Sequence, residues 1–219
     1  GARPYAFLDD APLEERRTQA VQMRRWSDPG SKDDLGALDL SAIEAVREEA
    51  WPDPRDAEEM HETLLGIGLV SATDVACQPQ WAEWLAWLAA EQRATRISTG
   101  YGEASGLPPL PAARSGGLWV AAEKLPQLQM IHPSAAMQPA IVAPAEFAAI
   151  AWTRDEALVD LLRARMTALG PVTVAHLAGM MVVAESDIAA ALVALETQGF
   201  VLRGQFTPAA TGEEWCERH

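Results

Sequence analysis

The chain has 219 residues, 49% of them hydrophobic, so it can bury one substantial core or two modest ones of ordinary domain size. Its formal net charge of -14 repels phosphate polyanions, which excludes a broadly basic nucleic-acid-binding surface and predicts binding that is weak, local and salt-sensitive. No run has membrane-spanning length, no secretory leader pattern opens the chain, and the two cysteines lie far apart, which together predict a cytoplasmic protein without a membrane partner.

Residues 1–36 are predicted to form an N-terminal extension with one helix, from Leu13 to Trp26, followed by a linker that contains glycine and proline. Within this helix, Arg17, Arg24 and Arg25 recur at i, i+7 and i+8, so their guanidinium groups share one face. That face is either a grip on nucleic-acid phosphates or a solvated surface paired with neighbouring carboxylates.

Residues 37–125 are predicted to form a winged-helix domain, in which three helices precede two strands joined by a long wing. Apolar residues recur at helical spacing in three successive segments: Ile43, Val46 and Ala50; Met60, Leu64, Leu65 and Ile67; and Trp81, Trp84, Leu85 and Leu88. The third helix is predicted from Trp81 to Arg93. The wing strands are predicted at 94–98 and 118–120, and a Gly- and Pro-rich wing tip fills 99–117.

Residues 126–151 are punctuated by prolines, show little periodicity and are predicted to form an irregular crossing. Residues 152–219 are predicted to form a second winged helix. Its elements are a helix from Ala157 to Leu169 ended by Gly170-Pro171, a short extended step at Val172-Thr173, a helix capped by Thr173, a helix from Ser186 to Gln198 ended by Gly199, and a strand over 200–206 that enters a hairpin. The expected fold class is mainly α with short β hairpins (α+β), with two winged helices in tandem.

The third helix of each predicted winged helix lacks the side chains that read DNA bases. Such a helix needs Arg, Lys, Asn or Gln toward the major groove. One of the two carries Glu83 and Glu91, and the other carries Asp187 and Glu196, so bringing either to DNA would place carboxylates beside phosphates. The remaining candidates for nucleic-acid contact are basic or aromatic residues of the N-terminal helix, the wings and their bases: Arg17, Arg24, Arg25, Arg93, Arg96, Arg114, Trp119 and Arg203.

No cofactor or metal site is predicted in the chain itself. It has no Gly-x-x-x-x-Gly-Lys-Ser/Thr loop to hold phosphates, so it does not hydrolyse ATP by that route. Cys216 and His219 have half of a zinc-binding spacing, and the other Cys and His residues have no partner at such a spacing.

Five separated segments resemble, in the same order, the large helicase-related (Lhr) proteins, which are bacterial ATP-dependent helicases. They are PYAFLDDAPLEERRTQAV at 4–21, AIEAVREEAWPDPRDAEEMHETLLGIGLV at 42–70, EALVDLLRARMTALGPVTVAHLA at 156–178, DIAAALVALETQGFVLRGQFTP at 187–208 and EEWCERH at 213–219. The resemblance implies a region C-terminal to two RecA-like motor domains of a bacterial cytoplasmic protein. ATP and Mg would bind only in that motor. Gln205 stands where the family commonly has an Arg, which weakens the expectation of a basic wing.

A second pattern concerns base excision. The last winged helix resembles domains of bacterial alkylpurine DNA glycosylases, and Gln127-Leu128-Gln129 is similar to the Gln-apolar-Gln pattern with which those enzymes position a water against the sugar. Gln127 and Gln129 are therefore the catalytic candidates of this chain, although a pattern of three residues arises readily by chance.

The function expected from the Lhr resemblance is that of an accessory region of a 3'-to-5' DNA (or RNA:DNA) helicase in DNA repair. The region would pack against neighbouring domains of the parent helicase and guide single-stranded nucleic acid, and it would not be catalytic alone. One alternative is a structural or oligomerising module that binds only protein, which the acidic third helices favour. The other alternative is glycosylase-like hydrolysis of damaged bases.

Overall fold

The computed structural model describes residues 40–98, 117–208, 210 and 212–218. These residues form a mixed α and β structure, about 55% helical, with two small antiparallel sheets. The N-terminal extension, with Arg17, Arg24 and Arg25, lies outside the described residues, as do Arg114 and the predicted wing tip apart from Gly117. Across the described ranges, no single helix is long and apolar enough to cross a membrane; one consecutive pair meets that test only together, with a bend of 114°.

The first part of the described chain is helical. Its helices are α1 (Leu40–Ala50), α2 (Ala57–Ile67), α3 (Ala72–Cys77) and α4 (Pro79–Ala90). The prediction for α2 is confirmed, because Met60, Leu64 and Ile67 are buried between an Asp56 cap and a stop at Gly68, whose φ is 79°. The short helix α3, which Ser71 and Asp74 cap reciprocally, was not predicted.

Two of the predicted apolar faces need correction. In α1 only Ile43 is buried, and Val46 is 52% exposed, so the predicted stripe of Ile43, Val46 and Ala50 is wrong at its centre. In α4, Trp84 is half-buried and packs on the side of a cluster instead of inside it.

The larger sheet has four antiparallel strands in the order β1-β3-β2-β4. They are β1 (Val70–Ser71), β2 (Ala94–Ser98), β3 (Leu118–Ala121) and β4 (Ala136–Gln138). The predicted pairing of the two wing strands is confirmed, with Arg96 opposite Trp119. The edge strands β1 and β4 were not predicted from the sequence.

The segment predicted to be an irregular crossing contains regular structure. After a 3-10 turn at Ala122–Lys124, helix α5 spans Leu125–Ile131 and a short helix α6 spans Ala145–Ala148. The expectation of little periodicity is wrong for α5, since Leu125, Leu128 and Ile131 share one buried helical face. Pro126 is compatible with this helix because it occupies the first turn, where its missing N–H is not needed.

The last part of the chain follows its prediction closely. Helices α7 (Arg154–Met166), α8 (Val174–Met181) and α9 (Glu185–Thr197) precede a hairpin of β5 (Val201–Gly204) and β6 (Glu214–Glu217). Thr153 and Thr173 cap the first two helices through backbone N–H groups. Val172 forms an isolated antiparallel bridge with Trp215, which ties the start of α8 to the hairpin.

Buried side chains from both predicted domains belong to one cluster. Leu69, Ile97 and Leu118, from the first, join the same core as Leu161 and Leu192, from the second. A smaller cluster forms around α2 and α4 with Met60, Leu64, Trp81, Leu85 and Leu88. The sequence boundary near residue 151 therefore does not separate two independent cores.

Candidate functional site

The most distinctive polar group of the described core is Arg165, which lies where α7 meets the first half of the chain. Its side chain is 1% exposed. It donates to the carbonyl oxygen of Leu69 (Nη1 to O, 3.1 Å) and to Asp74 (Nη2 to Oδ2, 2.8 Å). Its guanidinium carbon lies 4.9 Å from the ring centroid of Trp51. Burial lowers the pKa of Arg165, and the charge of Asp74 opposes that effect.

Local structure places each partner of Arg165. Asp74 is already fixed by its capping role, because Oδ2 accepts from the backbone N of Ser71 at 2.9 Å. Trp51 follows α1 and stacks on Trp81, with ring centroids 6.0 Å apart. Arg165 itself lies on the buried face of α7. In the described part of the chain its Nε has no hydrogen-bond partner. Hydrogen bonds inside the protein therefore do not fully replace the hydration that the guanidinium loses on burial.

Two clefts adjoin Trp51, the ring against which Arg165 packs. The larger has a volume of about 850 Å³ and runs between the end of α1 and residues 168–173. Its wall carries the acidic residues Glu48, Asp53 and Glu214 together with Arg47. The smaller, of about 300 Å³, is lined by Arg165 and Asp74. Trp51, Leu169 and His176 border both clefts, so the two are neighbours.

Arg47 and Glu214 frame the larger cleft and are held in place. Arg47 Nη2 donates to the carbonyl oxygen of Pro171 at 2.8 Å. Glu214 accepts from the backbone N of Phe206 (2.8 Å) and of Thr207 (2.7 Å), which closes the turn between β5 and β6. Desolvation pushes the pKa of Glu214 upward, but the hydrogen bonds from Thr207 and Phe206 outweigh it, and the net pKa is lowered.

Arg93, a predicted nucleic-acid contact, is bound to acidic partners. Its two terminal nitrogens donate to the two carboxylate oxygens of Glu58 at 2.7 and 2.8 Å. Arg93 Nη2 also lies 3.0 Å from Nδ1 of His61, and Nε2 of the same imidazole ring lies 3.2 Å from Glu123. The hydrogen bond with Glu58 raises the pKa of Arg93 and lowers that of Glu58. Binding a phosphate here would require this fork to open.

Arg203 also lies beside carboxylates, in the smaller sheet. It lies 3.5 Å from Glu196 and 3.7 Å from Glu213, and its guanidinium carbon is 5.6 Å from the ring centroid of Trp215. Arg203 belongs to the β5–β6 hairpin, whereas Arg96 and Trp119 are cross-strand neighbours in the larger sheet. The structure therefore brings Arg96 and Trp119 together but places Arg203 in a separate sheet. Trp119 is half-buried against the smaller cluster.

The two glutamines of the glycosylase-like pattern do not converge. Gln127 is 5% exposed, donates to Asp160 at 3.3 Å and leaves its Oε1 buried without a partner among the described residues. Gln129 is exposed and its Nε2 lies 3.9 Å from the sulfur of Met137. Residues i and i+2 of a helix point to different sides, so this pair holds no common water.

Most of the described basic side chains have carboxylate partners. These are Arg55, Arg93, Lys124, Arg154, Arg165 and Arg203. The pair of Arg154 with Asp187 (2.6 Å) links α7 to the start of α9, which was predicted as the third helix of the second winged helix. The described ranges contain no group of three or more His, Cys, Asp or Glu residues that could hold a metal.

The sequence patterns missed the role of Arg165, although a signal was present. Arg165 falls at helical spacing among Leu161, Leu162 and Met166, and a lone charge on an apolar stripe indicates a buried ion pair. Its partner Asp74 is 91 residues away, so the sequence did not identify it.

Comparison with known proteins assigns no family to the chain. No known family model matches the sequence, and no curated protein matches it either.

Proposed function

We propose that this chain is an accessory region of a large helicase-related protein, with two winged helices in tandem C-terminal to the ATP- and Mg-binding motor. The order of elements from α7 to β6 supports the second winged helix: a helix, an extended bridge at Val172, two helices and an antiparallel hairpin. The resemblance of five ordered segments supports the parent family. The order α2, β1, α3, α4, β2 and β3 supports the first winged helix in the same way, with α1 preceding it.

The role proposed for this region in a bacterial cytoplasmic helicase is to pack against neighbouring domains and to guide a single strand only weakly. One observation carries this role: most of the described cations are paired with carboxylates inside the chain. Arg93 is held by Glu58, and Arg203 lies between Glu196 and Glu213. These arginines are not presented to phosphates, and the surface around them remains acidic.

The alternative of a purely protein-binding module rests on the same pairing. It differs in one respect, since it assigns no nucleic-acid contact to Arg96, Trp119 or the arginines of the N-terminal extension. Glycosylase-like activity is not proposed, because Gln127 and Gln129 lie on different sides of α5.

Fluorescence anisotropy with labelled single-stranded DNA tests the role. We expect weak binding at low salt that weakens further as salt is raised, because few phosphates are contacted. Arg17→Glu, Arg24→Glu and Arg25→Glu combined should reduce the affinity by about tenfold or more, since exchanging attraction for repulsion at a few phosphates changes a salt-dependent binding constant strongly.

Arg55→Glu is the control for a local change of charge, because Arg55 is exposed, lies just before α2 and pairs with Glu59 in the first turn of that helix. Absence of binding even at low salt would leave the protein-binding module. Tight binding that resists salt would contradict both roles. The coding sequence directly upstream tests the parent assignment, which requires Walker motifs in the same reading frame.

A further inference from the structure

Arg165 keeps one hydrogen-bond donor without a partner. Its side chain is 1% exposed, and its two terminal nitrogens donate to Asp74 and to the carbonyl oxygen of Leu69. Among the described residues nothing accepts from its Nε. A buried N–H without an acceptor is costly, so such groups are rare in folded proteins. Arg165 lines the smaller cleft, and a molecule bound there can supply the missing acceptor.

The smaller cleft has the size and lining of a ligand site. Its volume of about 300 Å³ is at the lower end of the range for ligand pockets and far exceeds the roughly 10–15 Å³ that holds one water. Leu118, Met180 and Val182 supply apolar walls. Asp74, whose side chain is 16% exposed, supplies a polar edge. An apolar group beside one acceptor atom therefore fits this cleft.

The acceptor that suits Arg165 is an uncharged one. Asp74 already accepts from Nη2 at 2.8 Å and supplies the compensating negative charge. A carboxylate ligand at Nε would lie close to Asp74 and be repelled by it. A carbonyl oxygen accepts from an N–H without adding charge, and a peptide backbone carries one at every residue.

The larger cleft, of about 850 Å³, favours a positive charge. Glu48 and Asp53 lie on its wall, both are exposed, and neither forms an ion pair with a cation of the described ranges. Glu214 is less available, because backbone N–H groups of the β5–β6 turn donate to its carboxylate. Arg47, on the same wall, donates to the carbonyl oxygen of Pro171. Phosphates are repelled by such a wall, whereas an ammonium or guanidinium group is attracted.

The two clefts share part of their wall, including Trp51, so one extended ligand can contact both. We propose that the joined clefts bind an extended peptide segment of a partner protein. One of its backbone carbonyls accepts from Arg165 Nε, and an apolar side chain beside it enters the smaller cleft. A lysine or arginine side chain lies beside Glu48 and Asp53. This site goes beyond the packing role proposed above and does not require a helicase parent.

NMR titration of the full ¹⁵N-labelled chain with the tripeptide N-acetyl-Leu-Arg-Leu amide tests the site. The tripeptide has an apolar neighbour on each side of its arginine, so it serves either chain direction. The Nε–H signal of Arg165 and the indole N–H signal of Trp51 should shift at millimolar concentrations. The citrulline analogue, in which a neutral urea replaces the guanidinium, should bind about three- to tenfold more weakly, because it loses one or two exposed ion pairs.

Filling the smaller cleft should block the tripeptide. Ala72 lines that cleft, and Ala72→Phe places a ring where the apolar side chain of the peptide would lie. We expect the affinity to fall at least about tenfold, since the ligand loses its buried apolar contact. Ala76→Phe is the matched control, because Ala76 is an exposed residue of the same helix α3 and lines neither cleft.

Neutralising the acidic wall should affect only the charged ligand. Glu48→Gln/Asp53→Asn should weaken the arginine tripeptide about three- to tenfold and leave the citrulline analogue unchanged. Glu44→Gln/Glu49→Gln makes the same change in net charge at exposed residues of α1 that line neither cleft. It should leave both affinities nearly unchanged.

Several results overturn the proposal. They are the absence of shifts at Arg165 and Trp51, equal affinity for the arginine and citrulline peptides, and undiminished binding in a folded Ala72→Phe. Should Ala72→Phe fail to fold, the carboxylate variants decide alone. Shifts of the same two signals by single-stranded DNA would assign the clefts to nucleic acid instead. Loss of the strand-guiding role would be seen as absent DNA binding with the tripeptide still bound, so the two failures are distinguishable.

Discussion

A buried guanidinium is costly, because it keeps its charge under all physiological conditions and loses its hydration. Arg165 offsets that cost with three contacts, to Asp74, to the carbonyl oxygen of Leu69 and to the ring of Trp51. All three partners belong to the first half of the chain, whereas Arg165 belongs to α7. This one residue therefore links segments that the sequence assigned to separate domains.

Removal of this cation should destabilise the protein. In Arg165→Met, Asp74 and the carbonyl of Leu69 lose the hydrogen bonds from the guanidinium, and Asp74 keeps only its bond from the backbone N of Ser71. We expect the free energy of unfolding to fall by about 3 kcal/mol, at the low end for a broken buried pair because Asp74 keeps part of its hydration.

Urea unfolding followed by circular dichroism measures this loss. Arg55→Met is the matched control, since it removes an exposed local pair at the start of α2 and should leave the midpoint nearly unchanged. Equal midpoints for the two variants would mean that Arg165 contributes no net stability.

The helices α2, α7, α8 and α9 were predictable because their signals are local. Asp56, Thr153 and Thr173 provide caps, and apolar residues repeat at helical spacing behind them. The edge strand β4 was not, since three residues without clear alternation become a strand only by pairing with β2. Helix formation in α5 was obscured by the prolines around it.

The candidate site was less predictable than the helices. The sequence identified Arg93 and Arg203 as candidates for nucleic-acid contact. Whether an arginine can bind a phosphate depends on the acidic partners that it already has. Glu58 lies 35 residues before Arg93, and Glu213 reaches Arg203 only across the β5–β6 hairpin. Residue type and helical spacing contain no information on such pairings.

Two glycines near the end of α2 should respond in opposite ways to alanine. Gly66 is inside the helix and an added Cβ meets nothing within 4 Å, so Gly66→Ala should stabilise the protein by about 0.5–1 kcal/mol. Gly68 has φ +79°, and its Cβ would approach Leu161 Cδ2 at 3.1 Å. Gly68→Ala should destabilise by about 1–2 kcal/mol.

Thermal unfolding of the two variants under one set of conditions compares them directly. Both substitutions add the same methyl group within one turn, so the comparison isolates backbone conformation and space. A gain in melting temperature for Gly68→Ala would contradict the left-handed stop at the end of α2.

At the scale of the whole molecule, the position of α7 couples the stability of the two halves of the described chain. It packs on α2, α5 and α9, so one helix contacts elements from every predicted segment of the described chain. Its residues Leu158, Leu161 and Leu162 lie in the cluster that also holds Leu69 and Ile97. A shared core of this kind favours cooperative unfolding of the two halves.

Cooperative unfolding predicts that damage in one half is felt in the other. Leu192 is fully buried in α9, and Leu192→Ala should cost about 2–5 kcal/mol through lost packing and a cavity. Hydrogen exchange of α2 and α9, measured as urea is raised, should show one common midpoint that shifts equally for both helices. Val193→Ala, at a neighbouring residue that is 49% exposed, should shift neither. If α9 lost protection in Leu192→Ala while α2 kept its original midpoint, the halves would be independent folding units, and the contacts of α7 would not couple them.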